Sequence, residues 1–137
     1  MTRLSMADWR YPVAAPVLSL ALLAAAVAWA LIATGVPAWR ALVLLLVAPV
    51  AEEVVFRAGV HDELLHNGAA PWLANLLTAL SFSVAHMLLL GVNPQTALVL
   101  LPALLIGAAY NRWRRLRICI ALHMAMNAMW IAVQAMS

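Results

Sequence analysis

Pro49-Val50-Ala51-Glu52-Glu53-Val54-Val55-Phe56-Arg57 sets three charges inside an apolar run that extends from Trp39 to Val60. A charged side chain near a bilayer centre costs about 2.5–3.5 kcal/mol even on the lenient insertion scale, so such residues face a protein interior and mark a functional site. On a helix the adjacent carboxylates point about 100° apart, and Glu53 meets Arg57 at i,i+4. That pair can neutralise itself, which leaves Glu52 without a helical partner. Pro49 removes a backbone hydrogen bond immediately before Glu52 and should kink or loosen the helix there, a suitable place for chemistry.

The surroundings of this stretch settle the class of protein. The 137-residue chain is of single-domain length, 67% hydrophobic and only 9% charged, a balance that excludes an ordinary soluble domain and fits an integral membrane protein. All eight of its basic side chains other than histidine are arginines, most of them in flanks between apolar runs. Orientation in a lipid bilayer accounts for them, and no nucleic-acid partner is indicated. The lone cysteine, Cys119, lies in an apolar run as a small filler, which rules out an internal disulfide or a Cys-rich zinc site.

Five spans are expected. Val13–Thr34 holds no charge and exceeds the roughly 7–15 apolar residues of a signal peptide, so it reads as a retained first helix. After the Gly35-Val36-Pro37 turn, the second span runs from Trp39 to at least Val60. His61–His66 continues it or lies at the interface, with His61 and His66 read as solvated, and Asn67-Gly68 ends it. Trp72–Leu90 is the third span, Gly91–Pro94 a tight loop, and Thr96–Tyr110 a fourth span, broken by Pro102 and short for a crossing. Ile118–Met136 is the fifth. The expected fold is thus all-α, a polytopic transmembrane bundle of about five helices in one domain (1–137), with an extra N-terminal helix in 1–37 and a core in 38–137. A cytoplasmic N-terminus places Arg3, Arg10, Arg112, Arg114, Arg115 and Arg117 on one side and only Arg40 on the other, as the positive-inside rule asks. Trp9, Trp39, Trp72 and Trp113 then fall at span ends, where amphipathic rings prefer to sit.

Polar residues within the spans come from three helices: Glu52, Glu53 and Arg57 on the second, His86 on the third, His123 and Asn127 on the fifth. His123 and Asn127 are spaced i,i+4 and project from one face, and Phe82 and His86 have the same relation. Any one of these alone is readily a structural hydrogen-bonding group. Two carboxylates, two histidines and an amide together cost too much in so apolar a chain to serve only as glue. A carboxylate in an apolar pocket can take a proton from water and return it, which suits Glu52; a facing imidazole can hold the same water, and a His-Asn pair can donate to an oxyanion. That is a hydrolase. Ser81, Ser83 and Cys119 lack an evident base or orienting partner for nucleophilic attack. The zinc motif H-E-x-x-H is absent, although Glu and His side chains remain capable of binding a divalent ion.

Glu52-Glu53-x-x-x-Arg57, Phe82-x-x-x-His86 and His123-x-x-x-Asn127, in this order on separate spans with Pro49 ahead of the first, resemble the three-motif signature of the CPBP intramembrane proteases. That group contains the CAAX prenyl endoproteases and bacteriocin-processing or self-immunity (Abi) proteins, and the resemblance covers about Ala38 to Met136. It implies that Glu52 and His86 hold and activate a water, that His123 and Asn127 stabilise the oxyanion, and that Glu53, Arg57 and Phe82 support the site. Members have been described both as glutamate proteases and as metalloproteases; the reading taken is a catalytic water with no required cofactor, the alternative a divalent metal such as zinc on Glu52, His86 and His123. The resemblance to very short bacterial members implies a multi-pass protein of the bacterial cytoplasmic (inner) membrane that processes a membrane-anchored substrate at a C-terminal sorting or anchor segment. Two other functions fit the same spans: a non-catalytic immunity or partner-binding protein, and a proton or ion pathway, the latter disfavoured by the lack of repeated halves.

Overall fold

A computed structural model describes residues 35–134; the expected first helix, Val13–Thr34, lies outside them. The described residues form four helices and no strand. Helix α1, residues 38–66, is α-helical over Ala38–Leu42, Ala48–Glu53 and Asp62–His66, and is wound as wider π turns over Val43–Val47 and Val54–His61. The loosening expected at Pro49 takes this form. Ala48 sends its N–H to the Val43 carbonyl, one residue beyond the α partner, and Pro49 has no N–H to restore the regular ladder. Such π segments in helices recur at functional sites. The Asn67-Gly68 stop is as expected, with Gly68 in the left-handed region at φ 84°.

Helix α2, Pro71–Leu90, begins on a proline whose missing donor is harmless in a first turn and ends at Gly91, φ 87°. Asn93 then caps the next helix through a reciprocal pair, Thr96 N–H to Asn93 Oδ1 at 3.0 Å and Asn93 N–H to Thr96 Oγ1 at 3.1 Å. Helix α3, Pro94–Trp113, is 20 residues long. The fourth span is therefore not short: Asn93 caps it so that it starts two residues before Thr96, and it runs three residues beyond Tyr110. Its irregularity falls at Val99, between Pro94–Leu98 and Leu100–Trp113, because Pro102 offers no N–H to the Leu98 carbonyl. Arg114 closes α3 in a left-handed conformation, φ 50°, and helix α4 follows over Leu116–Gln134. Helices α2, α3 and α4 are each long and apolar enough to cross a bilayer.

The faces of these helices divide as a membrane bundle requires. Leu88 and Leu89 are about four-fifths exposed and belong to an outward belt of leucine and valine. Trp39, Trp72 and Trp113 are exposed at helix ends. Inside, Ala79, Phe82 and Ala103 pack with Phe56, while Ile106, Tyr110 and Cys119 form a second cluster beside α4. At the crossing of α2 and α3, Gly107 leaves room for the Asn75 side chain, which occupies the position a Cβ at 107 would take. Asn75 Nδ2 donates there to the Leu104 carbonyl at 3.1 Å. Small residues let helix backbones approach in this way.

The end of the bundle near the α1–α2 turn is tied by polar side chains. Asn111 accepts from His61 Nε2 at 2.9 Å and donates to the Pro71 carbonyl at 2.9 Å. Asp62 accepts from the Tyr110 hydroxyl at 3.2 Å and pairs with Arg114 at 3.2 Å. His66 is exposed, as its setting suggests. His61 is not: it is fully buried, with its ring edge-on to Tyr110. The reading of His61 as solvated is corrected by its spacing, since Glu53, Arg57 and His61 succeed one another at i,i+4 on the inner face of α1.

Candidate active site

Glu53 and Arg57, both fully buried, form the ion pair that their spacing implied, with Arg57 Nε 3.2 Å from Glu53 Oε2. The geometry is that of charge contact rather than an aligned hydrogen bond. Taking two charges out of water is tolerable only when further partners satisfy them. Arg57 gains two. Its Nη2 donates to the Ala103 carbonyl at 2.9 Å, and its guanidinium lies 5.6 Å from the Phe82 ring centre. Glu53 gains His123, whose Nδ1–H donates to Oε1 at 2.8 Å. One carboxylate thus joins α1 to α4, and its arginine joins α1 to α2 and α3.

This arrangement decides how His123 is presented. With Nδ1 held by Glu53, the opposite nitrogen is aimed at Glu52: His123 Nε2 is 3.5 Å from Glu52 Oε2. A carboxylate that fixes one imidazole nitrogen fixes the role of the other. The carboxylate of Glu52 is partly open, at 28% exposure against 0% for Glu53. Among the described residues it makes no hydrogen bond, so it is the acidic group of the pair free to meet a water or substrate. His86 lies within electrostatic reach of it. On α2, His86 donates Nδ1–H to the Phe82 carbonyl at 3.1 Å and stacks on the Phe82 ring at 4.3 Å, leaving Nε2 as the lone-pair nitrogen. Phe82 also meets His123 edge-on at 5.9 Å and Phe56 at 5.0 Å. It is the apolar hub around which both imidazoles and the guanidinium are set.

Glu52, Glu53, Arg57, Phe82, His86 and His123 are therefore gathered from three helices, as expected. Asn127 lies one turn beyond His123 and donates Nδ2–H to the Leu44 carbonyl at 2.8 Å. Among the described residues no covalent nucleophile emerges. Ser81 donates to the Leu77 carbonyl, Ser83 to those of Thr96 and Ala97, and Cys119 is buried against the Ile106 carbonyl. Among the described residues no three His, Cys, Asp or Glu side chains are arranged to hold a metal ion; of the possible ligands Glu52, His86 and His123, the last already has one nitrogen committed to Glu53. The His61 and Leu44 contacts were not anticipated from the sequence. The i,i+4 repeat from Glu53 through Arg57 points to the first, whereas a backbone carbonyl leaves no trace in the sequence beyond Pro49.

Fold and site together define a polytopic membrane bundle with a glutamate-histidine centre enclosed between its helices. Residues 33–129 match the family described as Rce1-like, type II CAAX prenyl endopeptidase, and the chain belongs to it. The matched stretch contains every candidate site residue from Glu52 to Asn127. This is a protease family of the CAAX intramembrane type, which fits a membrane-associated substrate and a surrounding of lipid. Neither the curated proteins nor the solved structures include a match to the chain.

Proposed function

We propose that the protein is an intramembrane endopeptidase in which Glu52 activates a water molecule for attack on a peptide bond. The observation that carries this reading is the contrast between the two adjacent glutamates: Glu53 is spent on Arg57 and His123, while Glu52 is open and faces His123 Nε2 at 3.5 Å. Glu52 accepts a proton from the water as its oxygen attacks the carbonyl carbon, with the water held on its other side by His86 Nε2. In its doubly protonated form, with Nδ1–H on Glu53, His123 presents Nε2–H, and this donor together with the amide hydrogen of Asn127 that is not given to Leu44 stabilises the resulting oxyanion. Glu52 then returns the proton to the departing amide nitrogen as the C–N bond breaks. The reaction consumes one water and needs no other cofactor.

For substrate we propose a membrane-anchored protein cut at a C-terminal sorting or anchor segment, in the cytoplasmic membrane of a bacterium. The resemblance of the three motifs supports this choice, and the belt of exposed leucine and valine supports lateral access from lipid. The test is co-expression with C-terminally tagged candidate membrane substrates, wild type against Glu52→Gln, read by mobility on a gel. A shift with wild type alone is expected, unchanged by a strong chelator. Cleavage retained in Glu52→Gln removes the glutamate mechanism, and cleavage abolished by the chelator and restored by zinc replaces it with a metal-assisted one.

A further inference from the structure

The Leu44 carbonyl occupies an unusual position in α1. Its donor would be the N–H of residue 48 in an α register and that of residue 49 in a π register. Ala48 gives its N–H to the Val43 carbonyl, and residue 49 is proline. Both helical donors are therefore lost, and a backbone carbonyl inside a membrane bundle requires a replacement. Asn127 Nδ2 supplies it at 2.8 Å from α4, 83 positions along the chain. Leu44 lies about two turns before Glu52 on α1, and Asn127 lies one turn after His123 on α4. The amide thus ties the proline break to the helix that carries the imidazole, on the far side of the Glu53–His123 bond.

We propose that Asn127 is a positioning residue: its side chain stands in for the backbone donor that Pro49 deletes and fixes the turn bearing Glu52 and Glu53 against His123. Two bonds then hold α4 to α1, Glu53 to His123 and Leu44 to Asn127, and between them they set the separation of Glu52 Oε2 and His123 Nε2. Proline at 49 and asparagine at 127 act as one device. The proline opens the helix, and the amide closes the gap from outside it. The consequence for cleavage rests on the protease reading above; the consequence for stability does not.

A double-mutant cycle tests this pairing, with Asn127→Ala, Pro49→Ala and their combination in the full chain, in membranes for cleavage and in detergent for thermal unfolding. Alanine at position 49 restores a backbone N–H, so the Leu44 carbonyl no longer needs the amide. Asn127→Ala is expected to lower cleavage at least tenfold more, and Tm by several degrees more, in the wild-type background than in the Pro49→Ala background. Asn127→Asp, which keeps the shape but loses the donor, should follow Asn127→Ala. A variant at 127 that folds only together with Pro49→Ala counts as the same coupling. Equal losses in both backgrounds, as for a residue that only donates to the oxyanion, overturn the proposal, as does failure to fold in both. If wild type itself cleaves nothing while the Tm coupling is present, the protease reading fails and the clamp stands.

Discussion

Two polar clusters sit in this apolar bundle, one within it and one at its end, and they use similar residues differently. At the end, Asp62 meets Tyr110 and Arg114, and Asn111 bridges His61 and the Pro71 carbonyl. Within, Glu53 pairs by charge with Arg57 and accepts from His123, yet Glu52 is partly open and the Nε2 atoms of His86 and His123 make no hydrogen bond among the described residues. The end cluster spans α1, α2 and α3 and holds shape. The inner cluster adds α4 and leaves a carboxylate free. Burial of polar groups alone does not separate a lock from a site; what separates them is the presence of an acidic group whose neighbours hold everything around it but not the group itself.

The sharpest way to break this comparison is to remove the partner on which both halves of the inner cluster depend. Glu53→Ala strands a buried guanidinium and releases His123, and should destabilise the protein by about 3–5 kcal/mol, read as a fall in the detergent unfolding midpoint. His86→Ala should leave that midpoint nearly unchanged while reducing the cleavage rate by roughly 10²–10³-fold, in the range of a lost proton-handling group; equal damage to folding and rate would make His86 part of the lock. The smallest effect belongs to the end cluster. Asp62→Asn weakens a pair whose arginine is half exposed, and it should cost no more than about 1 kcal/mol with cleavage intact. A larger loss of cleavage there would couple the two clusters and erase the distinction.

Spans and charge pattern made much of this legible from residues alone. Uncharged runs bounded by tryptophan and arginine fix α2 and α4 to within a few residues, and the i,i+4 relation yields the Glu53–Arg57 pair directly. The family motifs name the residues that meet around Phe82. Three things escaped. The start of α3 depends on a reciprocal Asn93–Thr96 cap, whose second half is a threonine rather than the glutamate or glutamine of the usual box. The burial of His61 depends on which face of α1 turns inward, and the charged neighbours Asp62 and Glu63 obscure that face. The bond from Asn127 to Leu44 depends on π turns that shift the angular phase of α1 away from a regular 100° per residue, so a helical wheel drawn from the sequence misplaces what lies on either side of Pro49.

Residue 107 has a consequence of its own. Because glycine there yields its side-chain space to Asn75, the helix carrying His86 and the helix whose Ala103 carbonyl receives Arg57 can cross more closely than any larger residue would permit. His86 and the Phe82 ring it rests on both stand on α2, and the Arg57 guanidinium reaches that ring from α1 while holding the Ala103 carbonyl of α3. A single missing methyl group therefore bears on how closely the two helices that anchor Arg57 approach, from a position that touches none of the atoms that react.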